Sequence, residues 1–425
     1  MARVLLLATT TGYQTRAFGE AAERLGVELV FATDRCHLIE DPWQDQAIPI
    51  RFYDEDASVA AILDAAVLRP IDGLLVVGDR PTVIGARVAA ALGLPWHSPA
   101  AAEAARHKRL TRERLRDAGL PVPRFQPFVL SSDFSVLSSA RDYPCVIKPV
   151  ALSGSRGVMR ANDAGELAAA IERLRALMQQ PEVRAERNEA HADALVEDFI
   201  PGREYALEGL LQHGVLQVLA IFDKPDPLDG PFFEETIYLT PSSADEATQH
   251  AIVDGVTRAA AALGLSHGPI HAECRVNPQG VYVLEVAARP IGGLCARALR
   301  FQPLALSPQP LAISLEELLL RHATGEAVAC ERERQASGVM MIPIPKRGIF
   351  RGVEGIEAAG QVPGIDAIHI TAKPDQLLVP LPEGASYLGF IFAHGDTPGD
   401  VERALRAAHA RLVFSVQIHY NLVHG

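Results

Sequence analysis

The chain has 425 residues, which is long enough for about three domains with sizeable cores and excludes a small disulfide-stapled scaffold. It carries 40 Lys and Arg residues against 52 Asp and Glu residues, and this net charge of -12 provides no global field that would attract nucleic acid. With 48% hydrophobic and 22% charged residues, the composition is typical of a soluble globular protein.

Cysteine usage and hydropathy indicate the compartment. The five cysteines, from Cys36 to Cys330, include no Cys-x-x-Cys pair, so we predict neither a disulfide framework nor a zinc ribbon. The apolar run at residues 4–8 is shorter than the core of a signal peptide, and residues 207–222 include polar side chains that a bilayer core excludes. We therefore expect a cytoplasmic protein without a membrane or nucleic-acid partner.

The N-terminal part alternates buried strands with amphipathic helices. Residues 4–8, 27–31 and 74–77 have the apolar runs of strands, and a helical pattern begins near Phe18. Alternation of this kind predicts a doubly wound parallel sheet. We assign residues 1–105 to this Rossmann-like N-terminal domain.

The middle of the chain combines helices with longer strands. Ser98 and Pro99 are suited to start a helical stretch that runs to Gly119. Turn residues separate two strands so that Glu273 and Glu285 should lie on neighbouring antiparallel strands. Further elements predicted here are a helix at residues 163–178, a loop at 179–193, a helix at 244–263, and the strands at 271–276 and 281–286.

The tail has an α+β pattern. Thr397 and Asp400 have the spacing of a helix capping box. We assign residues 106–300 to the second domain, with a lid subdomain at about 120–196, and residues 301–425 to a separate C-terminal α+β domain.

Several common motifs are absent. The sequence has no P-loop and no nucleophile elbow, and no Gly-x-Gly-x-x-Gly follows the first strand, where Gly12 stands. His267 and His271 have the spacing of two zinc ligands on a helix, but Gly268 and Pro269 would break that helix. The sequence therefore disfavours a Rossmann dinucleotide site, an α/β-hydrolase and a helical zinc site.

A lysine followed by a Gly/Ser loop is the most informative motif. Lys148 ends an apolar strand, where its charge is costly to bury unless an anion meets it. The loop at residues 153–158 offers backbone N–H groups suited to phosphate oxygens. The motif predicts a polyphosphate site, and its alternative interpretation is a snorkelling lysine beside an ordinary turn.

The acidic residues and the arginine that follow this loop occur in a recognisable order along the chain. The run from Glu197 to Glu204 comes next, and Glu273, Glu285 and Arg289 complete the series. From about residue 108 to residue 293 the chain resembles the ATP-grasp superfamily, and within it the carboxylate-amine ligases of the L-amino-acid (dipeptide) ligase kind. This resemblance implies an ATP-grasp fold between the N-terminal parallel-sheet domain and the C-terminal α+β unit.

The resemblance also implies an ATP site. Its lysines would hold the phosphates, a mobile loop would close over them, a hinge would read adenine and a carboxylate would bind the ribose. The residues that match these roles are, in that order, Lys108 and Lys148; Ser153, Gly154, Ser155, Gly157 and Val158; Glu197, Asp198, Phe199 and Ile200; and Glu204. The other basic residues of the segment at 106–116, Arg112 among them, are expected to form a solvated helix face.

The resemblance assigns Mg²⁺, for which Mn²⁺ could substitute, to Glu273 and Glu285. Two facing carboxylates repel each other unless a cation lies between them, and a hard cation suits oxygen ligands. Arg275 on the same strand could relieve the repulsion instead, or both carboxylates could face solvent. Ala287 stands where the family usually has Asn, so a second Mg²⁺ ion is in doubt.

Substrate contacts are expected from Glu235, Tyr238, Arg289, Gly292 and Gly293. Arg289 would neutralise charge at the acyl centre, with Lys148 as the other catalytic group. The alternatives are an ordinary edge strand at residues 235–238 and a structural salt bridge for Arg289.

The function implied is ATP-dependent amide or peptide bond formation between a carboxylate and an amine through an acyl phosphate, with release of ADP and phosphate. A carboxylase-type or purine-pathway enzyme shares the same ATP motifs, and a nucleotide-binding regulatory module without turnover is the alternative from another class. The partners are small-molecule substrates; a homodimer is compatible with the sequence, which fixes neither the oligomeric state nor the substrates.

Overall fold

The computed structural model describes residues 1–9, 13–34, 47–138, 142–303, 312–327 and 329–418. Cys36 and Gly12 lie outside the described residues. Within these ranges, no helix combines the length and the apolar character that a membrane crossing requires.

The N-terminal domain is built on a parallel sheet, as the alternation of elements predicted. Its four strands are β1 (Arg3–Ala8), β2 (Glu28–Thr33), β3 (Ile48–Pro49) and β4 (Gly73–Val77), and their order in the sheet is β3-β2-β1-β4. Residues 4–8 of β1 form an unbroken apolar run that is buried on both faces, as parallel strands usually are. The elements are β1 (Arg3–Ala8), α1 (Tyr13–Leu25), β2 (Glu28–Thr33), β3 (Ile48–Pro49), α2 (Glu55–Leu68), β4 (Gly73–Val77) and α3 (Thr82–Leu92).

Two helices lead from this domain to the lid. α4 (Pro99–Arg106) is capped by Ser98, as predicted, and α5 (Lys108–Asp117) follows it. The predicted single helical stretch is divided because His107 has extended backbone angles, and its side chain accepts from the Leu110 N–H to start the second helix.

The lid subdomain has an antiparallel sheet of its own and a helix, α7 (Ala164–Met178). The strands are β5 (Phe125–Val129), β6 (Cys145–Pro149), β7 (Met159–Ala161) and β8 (Asp193–Asp198), and their order in the sheet is β5-β8-β6-β7. Helix α7, capped by Asp163, covers the sheet with Leu167, Ile171 and Leu174. The expected loop at 179–193 is partly helical because Pro181 is well placed in a first helical turn. The elements are β5 (Phe125–Val129), α6 (Ser135–Ser138), β6 (Cys145–Pro149), β7 (Met159–Ala161), α7 (Ala164–Met178), α8 (Pro181–Arg184), a 3-10 turn (Glu189–Ala192) and β8 (Asp193–Asp198).

A large sheet forms the body of the molecule. Its eight strands are β9 (Arg203–Gln212), β10 (Val215–Asp223), β11 (Ile237–Thr240), β12 (Gly268–Asn277), β13 (Gly280–Ala287), β16 (Ala336–Ile342), β18 (Ile365–Ile370) and β20 (Gly389–Gly395). Their order in the sheet is β13-β12-β9-β10-β11-β16-β20-β18. The predicted hairpin is present, and it pairs Glu273 directly with Glu285. The elements up to this hairpin are β9 (Arg203–Gln212), β10 (Val215–Asp223), β11 (Ile237–Thr240), α9 (Glu246–Leu263), β12 (Gly268–Asn277) and β13 (Gly280–Ala287).

The tail extends this sheet, because β16 pairs with β11. The remaining elements are a 3-10 turn (Cys295–Ala298), β14 (Phe301–Pro303), α10 (Leu315–Ala323), β15 (Cys330–Arg332), β16 (Ala336–Ile342), β17 (Gly348–Glu354), α11 (Ile356–Gly360), β18 (Ile365–Ile370), β19 (Leu377–Leu378), β20 (Gly389–Gly395), α12 (Pro398–His409) and β21 (Val413–Gln417). The capping box of Thr397 and Asp400 starts α12, as predicted.

The cores follow the same connections. One cluster joins the N-terminal sheet to α10 and to Met341 and Phe390 of the large sheet, whereas the lid has a cluster to itself. Gly73 is required in β4 because a Cβ there would lie 2.3 Å from the carbonyl oxygen of Ala323. The division of the sequence into three domains stays a prediction, since tail elements pack into both of the other parts.

Four histidines meet where the N-terminal domain joins the large sheet. The rings of His267 and His322 stack with centroids 4.6 Å apart, His213 lies 5.1 Å from His267, and His97 Nε2 is 3.2 Å from the Pro269 carbonyl oxygen. Burial, reinforced by neighbouring imidazoles, lowers the pKa of both His97 and His322 to about 4. Both are therefore neutral at pH 7.

We expect acid to destabilise the protein through this cluster. Because the folded-state pKa values lie below 6.5, the unfolded chain binds more protons, and stability is lost as the pH falls from about 6.5 towards 4. At about 1.4 kcal/mol per pKa unit, each histidine accounts for up to about 3 kcal/mol. Denaturant unfolding at pH 7.5 and pH 4.5 measures the loss.

The variant His322→Phe should lose less stability on acidification, since Nε2 of His322 has no hydrogen-bond partner among the described residues. His250→Ala is the matched control because its side chain is 75% exposed. Equal acid sensitivity in all three proteins would contradict the assignment to this cluster.

Candidate active site

One cleft of about 450 Å³ brings together the N-terminal domain, the lid and the large sheet. Of the site residues predicted from the sequence, only Gly157 is not part of its lining. The predicted residues in the lining are Lys108, Lys148, Ser153, Gly154, Ser155, Val158, Glu197, Asp198, Phe199, Ile200, Glu204, Glu235, Tyr238, Glu273, Glu285, Arg289, Gly292 and Gly293.

Lys148 stands at the end of β6 in a buried ion network. Its Nζ contacts the carboxylate of Glu197, which also binds Arg112 at 2.9 and 3.2 Å. Burial, followed by the charge of Arg112, lowers the pKa of Lys148 to about 8. Although burial opposes them, Arg112 and Lys148 lower the pKa of Glu197 to about 2. The network holds the ammonium group of Lys148 against Glu197, and both residues line the cleft.

Arg112 corrects the expectation of a solvated basic helix face. Only 1% of it is exposed, and besides Glu197 it donates to the carbonyl oxygens of Val283 and Leu284. The signal available in the sequence was its spacing, because Arg112 lies one helical turn after Lys108 and so on the same face of α5.

The predicted phosphate loop has an unusual backbone. Gly154, Ser155 and Gly157 all have positive φ, at 64°, 54° and 75°, a backbone region that favours glycine. The N–H groups of Arg156 and Val158 donate to the carbonyl oxygens of Ser153 and Ser155, so these two groups are not available to phosphate in this conformation. The N–H of Gly157 donates to the carbonyl oxygen of Pro382 at 2.8 Å, and a Cβ would press on Leu174 and Leu177. Gly157 therefore shapes the loop from behind.

The predicted hinge and ribose residues have protein partners. Asp198 pairs with Arg124 at 2.7 Å, and the ring of Phe199 faces the guanidinium of Arg275 at 5.1 Å. The carboxylate of Glu204 binds Arg275 at 2.9 Å. The alternative in which Arg275 relieves the repulsion at Glu273 is not supported, because a bulge follows Glu273 and Arg275 pairs with Glu204 instead.

Lys224 lies among three carboxylates that line the cleft. Its Nζ lies 2.8 Å from Glu204, 2.5 Å from Glu235 and 2.9 Å from Glu273. Burial opposes its charge, but the three carboxylates raise the pKa of Lys224 well above its usual value. Tyr238 completes the group, with its hydroxyl 3.3 Å from Glu273.

These oxygens suit a hard cation. Among the described residues, the carboxylates of Glu204, Glu235 and Glu273 form the one group of possible metal ligands within 4.8 Å of one another. Glu285 faces Glu273 across the hairpin and also lines the cleft, so the pair does not lie on an open solvent face. Nζ of Lys224 lies among these three carboxylates, so their oxygens already surround a positive charge. The predicted pair, Glu273 and Glu285, offers the oxygen donors that Mg²⁺ prefers, but Glu285 is not one of this group.

Arg289 follows the hairpin and reaches the N-terminal domain. It binds Asp79 through two contacts of 2.8 and 3.1 Å, and it is 9% exposed. The salt-bridge alternative is therefore present in this structure, at a residue that lines the cleft. Asp79 was missed, although it follows the carboxyl end of β4, where parallel sheets usually bind ligands.

A second buried pair, Glu208 and His271, lies next to the segment that follows Arg289. Burial lowers the pKa of His271, but the carboxylates of Glu208 and Glu273 outweigh this effect and raise the pKa to about 9. Glu208 lies 3.0 Å from His271 and accepts from the N–H of Ile291. The segment after Arg289 is thus tied to the floor of the cleft.

Three family models match the chain. The model described as ATP-grasp domain matches residues 141–298, and the ATP-grasp N-terminal domain matches residues 19–96. The L-amino acid ligase C-terminal domain 2 matches residues 340–417.

The chain is also similar to known proteins. The L-amino acid ligase from Bacillus licheniformis has a TM-score of 0.77 at 26% identity, covering 98% of this chain and 99% of that one. An uncharacterized protein of Sinorhizobium fredii is 23% identical over 98% of this chain and 84% of its own length. The alanine-anticapsin ligase of Bacillus subtilis is 27% identical over 44% of this chain and 41% of its own length, so that match spans less than half of either protein.

Replacing Arg112 tests the buried network. Arg112→Met leaves the carboxylate of Glu197 buried with one partner fewer, and breaking such a pair typically costs about 3–5 kcal/mol of the free energy of unfolding. Arg109→Met on the same helix is the matched control, because Arg109 is 45% exposed and its pair with Glu113 contributes about 1 kcal/mol or less. Denaturant unfolding compares them, and equally small losses would show that the network is not stabilising.

Proposed function

We propose that this chain, which belongs to the ATP-grasp superfamily and its carboxylate-amine ligases, joins two amino acids or amino-acid-like substrates by an amide bond and releases ADP and phosphate. The observation that carries the proposal is that Lys148, Glu273, Glu285 and Arg289 line the same cleft. The C-terminal match to an L-amino acid ligase domain supports amino-acid substrates.

In the proposed reaction, a carboxylate oxygen of the first substrate attacks the terminal phosphorus of ATP and ADP leaves. The amine of the second substrate then attacks the acyl carbon, the C–O bond to phosphate breaks, and the amine releases its proton. Little covalent chemistry is required of the protein, whose task is to position the reactants and balance their charge.

The phosphates would meet Lys108, Lys148 and the loop at residues 153–158. Lys148 is held in place by Glu197 and Arg112, so its ammonium group is oriented before the nucleotide binds. Glu273 and Glu285 would hold Mg²⁺, which supplies positive charge to the phosphate oxygens when bound.

Arg289 would act on the acyl group. Its guanidinium already holds a carboxylate through two contacts, that of Asp79, so its geometry accepts two oxygens at once. A substrate carboxylate that displaces Asp79 would lie beside Glu285 on the cleft lining. The arrangement supports charge neutralisation as the carboxylate becomes an acyl phosphate.

The proposal is tested by incubating the protein with Mg-ATP and pairs of amino acids. We expect ADP and phosphate to form only when amino acids are present, together with a product whose mass equals the pair minus water. AMP and pyrophosphate would contradict the acyl phosphate, dependence on bicarbonate or a ribonucleotide would favour the carboxylase or purine-pathway reading, and tight ATP binding without turnover would favour a regulatory module.

Two variants separate the proposed roles. Arg289→Ala should lower turnover by about 10² to 10³, the usual effect of removing a donor to a developing oxyanion, while ATP affinity without amino acids changes little. Glu285→Gln should weaken Mg-ATP binding itself, because a carboxylate ligand is lost. If Arg289→Ala binds ATP far more weakly yet turns over normally at saturation, Arg289 is a nucleotide contact and the acyl role is wrong.

A further inference from the structure

The part of the cleft next to Glu235 is an apolar chamber. We define the chamber by Ile291, Cys295, Met341, Tyr387 and Phe390, all of which line the cleft. Ile291, Cys295, Met341 and Phe390 are at most 4% exposed, so the walls are fixed by packing. Glu235 acts electrostatically on both Cys295 and Tyr387, which places the chamber beside the residues proposed to bind substrate.

No wall side chain of the chamber carries a charge at neutral pH. Burial, followed by the charge of Glu235, raises the pKa of Tyr387 well above its usual value, and the same two effects keep the thiol of Cys295 protonated. Glu235, the carboxylate that acts on both Tyr387 and Cys295, is already bound to Lys224. A charged group entering the chamber would therefore be buried without a counter-ion, which is costly.

Two glycines leave room at the entrance. Gly292 lines the cleft, its φ is outside the left-handed region, and a Cβ placed there would meet no atom within 4 Å. Gly293 differs, because its φ is +61° and a Cβ would lie 3.2 Å from the ring of Phe390. Space for a ligand thus exists at Gly292 but not at Gly293.

Resting on the proposed function, we propose that the chamber receives the side chain of one amino-acid substrate and selects a bulky apolar side chain of the size of leucine, methionine or phenylalanine. The substrate carboxylate points to Arg289, three residues before Gly292, and the side chain passes Gly292 to reach Met341 and Phe390. The transfer of an apolar side chain from water into the chamber lowers the free energy. Each additional methylene that the chamber accommodates changes the ratio of kcat/KM between two substrates by about tenfold or more. Gly292 is therefore the specificity-determining position.

The test measures phosphate release with Mg-ATP and a panel of amino acids supplied in pairs, each pair containing alanine. We expect leucine, methionine or phenylalanine to give the highest kcat/KM, and aspartate and lysine to give the lowest. Gly292→Leu should reduce the leucine-to-alanine ratio of kcat/KM at least about tenfold, and Gly292→Ala should have a smaller effect in the same direction.

Gly360→Leu is the matched control. Gly360 also has no atom within 4 Å of a Cβ, but it lies at the exposed end of α11, so the substitution should leave the ratio unchanged. The thermal unfolding midpoint and the ATP affinity of each variant are compared with those of the unsubstituted protein to test whether the variant is folded.

The outcomes distinguish the two proposals. Amino-acid-dependent ADP formation with a preference for charged or small side chains, or an unchanged ratio in Gly292→Leu, would overturn the chamber assignment while the ligase function stands. Absence of ADP formation with every pair, in a protein that binds ATP, would overturn the ligase function and the chamber assignment with it.

Discussion

The ammonium group of Lys224 is the charge on which the arrangement of the cleft depends. Glu204, Glu235 and Glu273 come from three separate segments of the chain, and their oxygens lie close enough to repel one another strongly. The ammonium group lies between them, and Arg275 and His271 add positive charge to Glu204 and Glu273. Because buried charge is tolerated only when it is balanced, the ion pairs of Lys224 hold these three segments of the chain together at the cleft.

The same logic applies to the lid, where one carboxylate organises two cations. Glu197 joins Lys148 on a neighbouring lid strand to Arg112 on α5, and Arg112 extends the network to the carbonyl groups of β13. The lid therefore touches the body of the molecule through a charged contact, although it keeps an apolar core of its own.

Features set by local spacing could be predicted from the sequence. Alternating apolar runs indicated the parallel sheet, and turn residues at 277–280 indicated the hairpin that pairs Glu273 with Glu285. Ion pairs between residues distant in sequence could not be predicted, since Arg112 and Glu197 are 85 residues apart and Arg289 and Asp79 are 210 residues apart. Nor does any local pattern reveal that β16 would add to the edge of β11, because strand order in a sheet is decided by packing.

The salt bridge between Arg289 and Asp79 makes carboxylate binding an exchange reaction. In the proposed role, an incoming carboxylate takes the place of one that the protein itself provides, so the charge at Arg289 is the same before and after. The measured binding free energy is then the difference between the free energies with which Arg289 binds the substrate carboxylate and the Asp79 carboxylate. The substrate affinity is lower than the intrinsic affinity by a factor equal to the fraction of molecules in which the Arg289–Asp79 salt bridge is broken. Since Asp79 belongs to the N-terminal domain, any ligand or substitution that shifts this domain changes substrate affinity without touching the substrate.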